Sequence, residues 1–222
     1  KKNIKKIKQI IFVGKLNESK GYDLFCKALF PVLDKHTDWK AISIGGEKRY
    51  QHYNTHKKHI NLGQIPHKKV LKFLSESEIA VIPSRWEEPF GRTALEATSM
   101  GCATIISSNG GLTETTDQAI ILKKLSSKNL ELEINKLIDN KTLRKNLQLK
   151  SQKNVKHRIS ENSDKIDLMR ASLFPFANFN TNNGKLRILN IYNMAQKLNH
   201  RLYNLSLGKK FTNGFIRNGH DV

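Results

Sequence analysis

Glu88 and Glu96 stand eight residues apart, and the stretch between them changes from loop composition to helical composition at Gly91. A helix opening there leaves its first amides, at Gly91, Arg92 and Thr93, without intrahelical partners. They lie at the positive end of the helix dipole and can hold a phosphate. Gly91, lacking a side chain, lets the backbone come close to such a group. Glu96 follows five residues later, roughly 7.5 Å along the axis at 1.5 Å per residue, with its side chain tilted back toward the helix start. That is the length scale of a nucleoside, and a carboxylate so placed accepts both hydrogen bonds of a ribose cis-diol. Glu88 precedes the helix on the phosphate side, where a sugar carried on the terminal phosphate would sit. Two glutamates at this spacing arise by chance in many helical proteins. The apolar run Ile79–Ser84 before them, Pro89-Phe90-Gly91 between them and Gly101 after the helix make the segment specific.

A second group lies at the first apolar run, where Phe12-Val13-Gly14-Lys15-Leu16 is followed by Lys20-Gly21. It places two cations, Lys15 and Lys20, where a strand ends. Lysines act on phosphate as point charges and can neutralise a departing diphosphate without a metal. The competing reading is that they are solvated lysines in a lysine-rich chain; the flanking glycines, Gly14 among them, and the first-strand position favour a site. Other residues carry less. The histidines show no zinc-like spacing, and His52, His56 and His59 are expected to be solvent-exposed in a polar loop. Trp39 and Trp86 are expected to pack, with Trp86 placed to shape a pocket beside Glu88.

The elements that must position these groups follow from periodicity. From Gln9 to about Ile121, short β-branched runs alternate with helical patterns, which predicts a doubly wound α/β domain built on a parallel sheet. The predicted strands are Gln9–Gly14, Lys40–Gly45, His59–Leu62, Glu78–Pro83, Ala103–Ser107 and Ala119–Leu122. They are mostly apolar throughout, as strands covered on both faces must be. Helices are predicted over Tyr22–His36, with a kink or stop at Pro31, over Pro66–Ser75 and over Gly91–Met100. After Leu122 the pattern is helical only, over Ser127–Ile138, Thr142–Arg158 and Glu161–Ser172. Ligands of open α/β sheets bind at the carboxyl ends of the strands, where both candidate groups fall.

The chain has 222 residues and a net charge of +20, enough length for one well-filled domain and something more. The charge raises the prospect of a polyanionic partner. The lysines, however, are dispersed along the chain and mixed with Asn and Ile, which points to biased composition; a nucleic-acid module concentrates basic and aromatic residues. Cys26 and Cys102 are distant and embedded in apolar segments, so buried free thiols in a reducing compartment are expected. No apolar run reaches the roughly 18 residues of a membrane-spanning helix. The chain opens Lys1-Lys2-Asn3 and is read as an excerpt of a longer protein.

With these residues in view, the sequence resembles the C-terminal domain of glycosyltransferase family 4, of the GT-B fold. The resemblance is carried by Phe12–Leu16, Lys20-Gly21, Ile44-Gly45-Gly46, Asn61–Ile65 and the E-x7-E segment Glu88–Glu96. Ala97, Gly101 and Gly110–Glu114 continue it, and it covers about Gln9 to Ser172. It implies retaining transfer of a sugar from a nucleotide-diphospho-sugar donor with no essential metal or other cofactor. By the same resemblance Gly14, Lys15, Lys20, Phe90, Gly91, Arg92 and Thr93 belong to the donor-binding set around the diphosphate. Glu88 acts at the sugar, as nucleophile or orienting group, Glu96 meets the ribose, and Ile65 lies against the base. The family usually has Arg where this chain has Lys15, which weakens bidentate phosphate holding there. The resemblance further implies an acceptor, a sugar or lipid-linked glycan, held by an N-terminal domain not in this sequence. A cytoplasmic location, free or peripheral at the inner face of a membrane, and no nucleic-acid partner are expected. Two rival readings are a non-catalytic nucleotide or polyanion-binding module and a GT-B sugar-nucleotide epimerase.

The domain division expected is 1–172 for the donor-binding domain and 173–184 for a linker rich in Asn, Pro and Gly. Residues 185–222, with a predicted strand at Lys185–Asn193 and a helix within Arg201–Asn218, end in Arg217-Asn218-Gly219-His220-Asp221-Val222. That ending resembles the opening of a second GT-B unit.

Overall fold

The apolar runs of the sequence become six parallel strands. The computed structural model describes residues 6–47 and 56–153, together with 165, 166, 168, 169 and 172. The chain divides into two compact units, Lys1–Asn162 and Ser163–Val222. In the first, β1 (Ile7–Val13), β2 (Lys40–Ile44), β3 (His59–Asn61), β4 (Ser77–Ile82), β5 (Ala103–Ile106) and β6 (Ala119–Ile121) form one sheet. Its order is β3-β2-β1-β4-β5-β6, with every neighbouring pair parallel. The helices are α1 (Tyr22–Lys35), α2 (His67–Glu76), α3 (Arg92–Ser99), α4 (Leu112–Thr115), α5 (Ser127–Asp139) and α6 (Lys141–Lys153). A 3-10 turn, Glu18–Lys20, leads into α1.

Two core layers follow from the alternation of side chains along each strand. Ile10 and Phe12 of β1, with Ile79 and Val81 of β4, pack on one face against α1 and α5. Ile11, Ala80 and Ile82 pack on the other against residues of α2 and α3. Burial on both faces is why all six residues of β4 are buried and why its sequence lacks a polar side. The central pair, β1 and β4, therefore sends its following helices to opposite faces, α1 to the first and α3 to the second. A crevice opens between the two departing loops, at the point where strand order reverses.

The helix predicted to kink or end at Pro31 instead runs on to Lys35. Pro31 lies on the exposed side of α1, whereas Leu29, Val32 and Leu33 are fully buried around it. The lost amide and the ring thus face solvent, and apolar burial on the opposite side outweighs a cost of about 3 kcal/mol. The four-residue α4 and the 3-10 turn, too short to show a period, are additions to the predicted elements. Of the predicted helix Glu161–Ser172, the described residues 165, 166, 168, 169 and 172 are helical. The proposed linker 173–184 and the predicted strand and helix in 185–222 lie outside the described residues.

Two polar anchors hold the end of the sheet where β1 and β4 begin. Lys6 Nζ donates to Ser75 O at 3.0 Å in the last turn of α2, to Ser77 O at 2.8 Å just after it, and to Met100 O at 3.0 Å just after α3. It thereby caps the carboxyl ends of both helices with one ammonium. Burial pulls its pKa below the ordinary lysine value. Arg144 of α6 donates through Nε to the buried Glu78 carboxylate and through Nη1 to the carbonyls of Leu137 and Ile138, while its guanidinium lies 5.2 Å from the Trp39 ring centre. Trp39 is buried, as expected of a packing residue. Cys26 and Cys102 are buried free thiols whose pKa values burial raises to about 11. Among the described residues no helix is long and apolar enough to cross a membrane.

Candidate functional site

A cleft of about 410 Å³ opens at the carboxyl ends of β1 and β4. Its construction begins with the loop after β1. The Asn17 side chain accepts from the Lys20 amide at 3.1 Å, and the Gly21 amide donates to Glu18 O at 2.9 Å, which closes the 3-10 turn and fixes Lys20. Gly21 has φ +71, and a Cβ there would stand 1.9 Å from Pro83 O. Only glycine lets the β1 loop come this close to the β4 loop.

The consequence is an ion pair between residues 68 apart in sequence, with Lys20 Nζ donating to Glu88 Oε1 at 2.5 Å. Both side chains are largely shielded, 27% and 17% exposed. Glu88 is held from the other side as well: it forms a parallel bridge with Gly110, and the Gly111 amide donates to Glu88 O at 2.6 Å. The carboxylate is thus fixed by its backbone and by its partner.

Helix α3 begins at the floor of the same cleft. Gly91, at φ +80, is its N-cap and offers no side chain to the first turn. The Ala94 and Leu95 amides both donate to Gly91 O, at 2.9 and 3.3 Å. The amides of Gly91, Arg92 and Thr93 therefore precede the first intrahelical bond, and all three residues line the cleft. Glu96 lines it further along, with Oε1 3.0 Å from His67 Nε2 on α2 and 3.7 Å from an Arg92 guanidinium nitrogen.

The residues singled out from the sequence divide as follows. Gly14, Lys20, Glu88 and Phe90 line the cleft with the three helix-start residues and Glu96. Lys15 is exposed and outside the lining, while Ile65 is half-buried against the second core layer and also outside it. Trp86 is 56% exposed and outside the lining, against the expectation that it packs. Its backbone is held, the amide donating to Ser19 O at 2.9 Å, while the ring stays open to solvent. His59 and His56 correct the expectation of solvent exposure. His59 is on β3, its Nε2 lies 2.7 Å from Ser43 Oγ, and its ring sits among Tyr22, Phe25 and Phe30. Burial, with a smaller push from nearby His56, lowers its pKa to about 4. The His56 side chain is 11% exposed, stacked on Phe30 and 3.1 Å from Asp34. His52 lies outside the described residues.

Phe12, Val13, Ile82, Ser84, Pro89 and Leu112 also line the cleft, and each falls within a segment quoted above without a chemical signal of its own. His67, at the start of α2, carries no sequence signal beyond that position. Among the described residues, no group of three or more His, Cys, Asp or Glu is placed to hold a metal ion. The arrangement can bind an anion at the helix start and polar hydroxyl groups at either carboxylate.

Comparison with known proteins bears on this geometry. Residues 1–154 match the family described as glycosyl transferases group 1. An uncharacterized glycosyltransferase of Methanocaldococcus jannaschii is 35% identical over 114 residues, covering 48% of this chain and 29% of that protein. The crystal structure of the C-terminal domain of a glycosyl transferase group 1 family protein (LpcC) from Francisella tularensis superposes with a TM-score of 0.60 at 25% identity. The match covers 68% of this chain and 86% of that one. The Anabaena protein HepE, crystallised in complex with UDP-glucose, has a TM-score of 0.60 at 19% identity, covering 75% of this chain and 49% of that one, and shares the fold. The chain spans about a third of the length of the curated relatives it matches, 29% and 33% of the first two.

Proposed function

The chain belongs to the glycosyl transferases group 1 family, and on that premise we propose that the cleft between β1 and β4 binds a nucleotide-diphospho-sugar donor for sugar transfer. The single observation that carries this reading is that Lys20, Glu88, the start of α3 and Glu96 line one cleft. The open amides of Gly91, Arg92 and Thr93 take the diphosphate, and Lys20 supplies a positive charge beside them. Glu96 accepts the ribose hydroxyls in place of His67. Lys15 approaches the diphosphate from the rim, Phe90 and Gly14 border the donor, and Ile65 meets the base. That a fold neighbour is seen with UDP-glucose makes this ligand class a natural first probe.

The chemistry follows from charge. The bond between the anomeric carbon and the diphosphate oxygen breaks, and its electron pair leaves with the diphosphate. Fixed amides and Lys20 meet that negative charge without reorganising, so the leaving group is stabilised with no metal required. An acceptor hydroxyl forms the new bond to the anomeric carbon and gives its proton to the departing diphosphate oxygen. Glu88 acts on the sugar beside the breaking bond, either as the nucleophile of a covalent intermediate or by orienting the ring for attack from the same face; both routes retain configuration. The acceptor, a sugar or lipid-linked glycan, is held by an N-terminal domain of the parent protein. The chain alone then binds donor but transfers poorly, because proximity supplies much of the acceleration. The assembly works in the cytoplasm, free or at the inner face of the membrane.

The test is calorimetric titration of the chain with UDP-glucose and GDP-mannose, and with single-stranded DNA as the polyanion control. Saturable binding of a nucleotide sugar is expected, weakened about tenfold or more in Glu96→Ala through loss of charged hydrogen bonds. Equal donor binding by the wild type, Glu88→Ala and Glu96→Ala would remove the site assignment.

A further inference from the structure

The Lys20–Glu88 pair joins two loops that have no helix or strand in common, so something must hold the loops in register. Ser84 Oγ reaches across to Ser19 O at 3.3 Å, and a longer side chain spans them more firmly. Arg85, in the β4 loop, makes a two-pronged contact with Asp23 in the first turn of α1, Nη1 to Oδ1 at 2.6 Å and Nη2 to Oδ2 at 2.8 Å. Its Nη1 also donates to Glu18 O at 2.5 Å, inside the turn that carries Lys20. The backbone repeats the link, since the Arg85 and Trp86 amides both donate to Ser19 O, at 2.8 and 2.9 Å. On its other side Arg85 O accepts from the Asn109 side chain at 3.0 Å, which ties in the loop after β5.

We propose that Arg85 and Asp23 form a clasp that sets the position of Lys20 relative to Glu88, acting as positioning residues for the donor site without touching the donor. Neither lines the cleft. A guanidinium fork on a carboxylate fixes direction as well as distance, which a lysine at position 85 would not do. The Asp23 carboxylate is 17% exposed and Arg85 38%. Burial alone would raise the carboxyl pKa; hydrogen bonds from Arg85 and nearby amides outweigh it and hold it below the ordinary value. The clasp's position rests on the loop geometry. Its functional consequence rests on the donor reading above.

The experiment has two arms on wild type, Arg85→Ala and the exchange Arg85→Asp with Asp23→Arg, the second arm adding Lys20→Ala alone and combined with Arg85→Ala. Amide hydrogen exchange without ligand reads the clasp directly. The alanine variant is expected to exchange faster in residues 17–22 and 84–90 while α5 is unchanged, and the exchanged pair is expected to restore protection in part, since its carboxylate cannot donate to Glu18 O. UDP titration reads the consequence, with affinity about tenfold lower in Arg85→Ala and at least partly recovered in the exchanged pair. Lys20→Ala added to Arg85→Ala is expected to cost much less than Lys20→Ala alone, a coupling that general destabilisation would not produce. Unchanged exchange in 17–22, or additive losses of UDP affinity from the two variants, would overturn the proposal. A wild type that binds no UDP at all would instead overturn the donor reading, and the exchange arm would still decide the clasp.

Discussion

Gly110 sits at φ +57, and a Cβ there would lie 2.5 Å from Glu88 O and 2.6 Å from Glu88 N. Both atoms are backbone, so neither can swing away. Gly110→Ala is therefore expected to cost about 1–3 kcal/mol and to displace Glu88 from Lys20. Thermal unfolding and UDP-glucose titration should both register it, and an unshifted midpoint would show that the bridge is not rigid. At this scale the sequence revealed the residue types better than their partners. Glu88, Gly91 and Glu96 are legible because they sit within one short segment with glycine and proline markers. The Lys20–Glu88, Arg85–Asp23 and His67–Glu96 contacts join residues 68, 62 and 29 apart. No local pattern records such distances.

Strand β3 places His59 against Ser43 and three aromatic rings, an environment that disfavours the imidazolium. The unfolded chain takes up a proton near the ordinary value of 6.5, whereas the folded chain resists until about 4. Between those values the unfolded state binds more protons, so stability falls as pH falls, by up to about 3 kcal/mol once pH is below 4. Above 6.5 the residue contributes no pH dependence. Asp23, with its lowered carboxyl pKa, adds a loss of its own only below the ordinary value of 3.8. His59→Gln keeps a hydrogen-bonding partner for Ser43 and should flatten the urea-midpoint profile from pH 7 to 4.5; a profile identical to wild type would mean that His59 titrates normally. The strands themselves were legible, each within a residue or two, the central ones because burial on both faces leaves a continuous apolar run. The fate of Pro31 was not, since it depends on which side of α1 faces solvent. The burial of His59 was equally hidden, because β3 is short and flanked by polar residues.

At the level of the whole unit, α6 is fastened to the sheet by a buried ion pair. Arg144 is 4% exposed and Glu78 8%, and Gln148 donates to Glu78 O at 2.9 Å from the next turn. Arg144→Met leaves the buried carboxylate with only the longer contact to Lys145 Nζ, 4.0 Å from its Oε1, and is expected to cost about 3 kcal/mol in urea unfolding. Adding Glu78→Leu should recover much of that loss. If Arg144→Met alone proves neutral, Lys145 or water must take over the carboxylate. The doubly wound architecture was readable from the alternation of strand and helix patterns, but the fastening was not, because Arg144 looks like any other cation in a chain of net charge +20. The cleft at the opposite end of the same strand presents an ammonium and a carboxylate in contact. An inhibitor bearing only phosphate-like charge meets the ammonium but sets a second anion beside the carboxylate. A zwitterionic compound, with its own anion and cation spaced to replace each member, escapes the penalty, and fragment libraries of that kind are the rational starting chemistry for blocking this pocket.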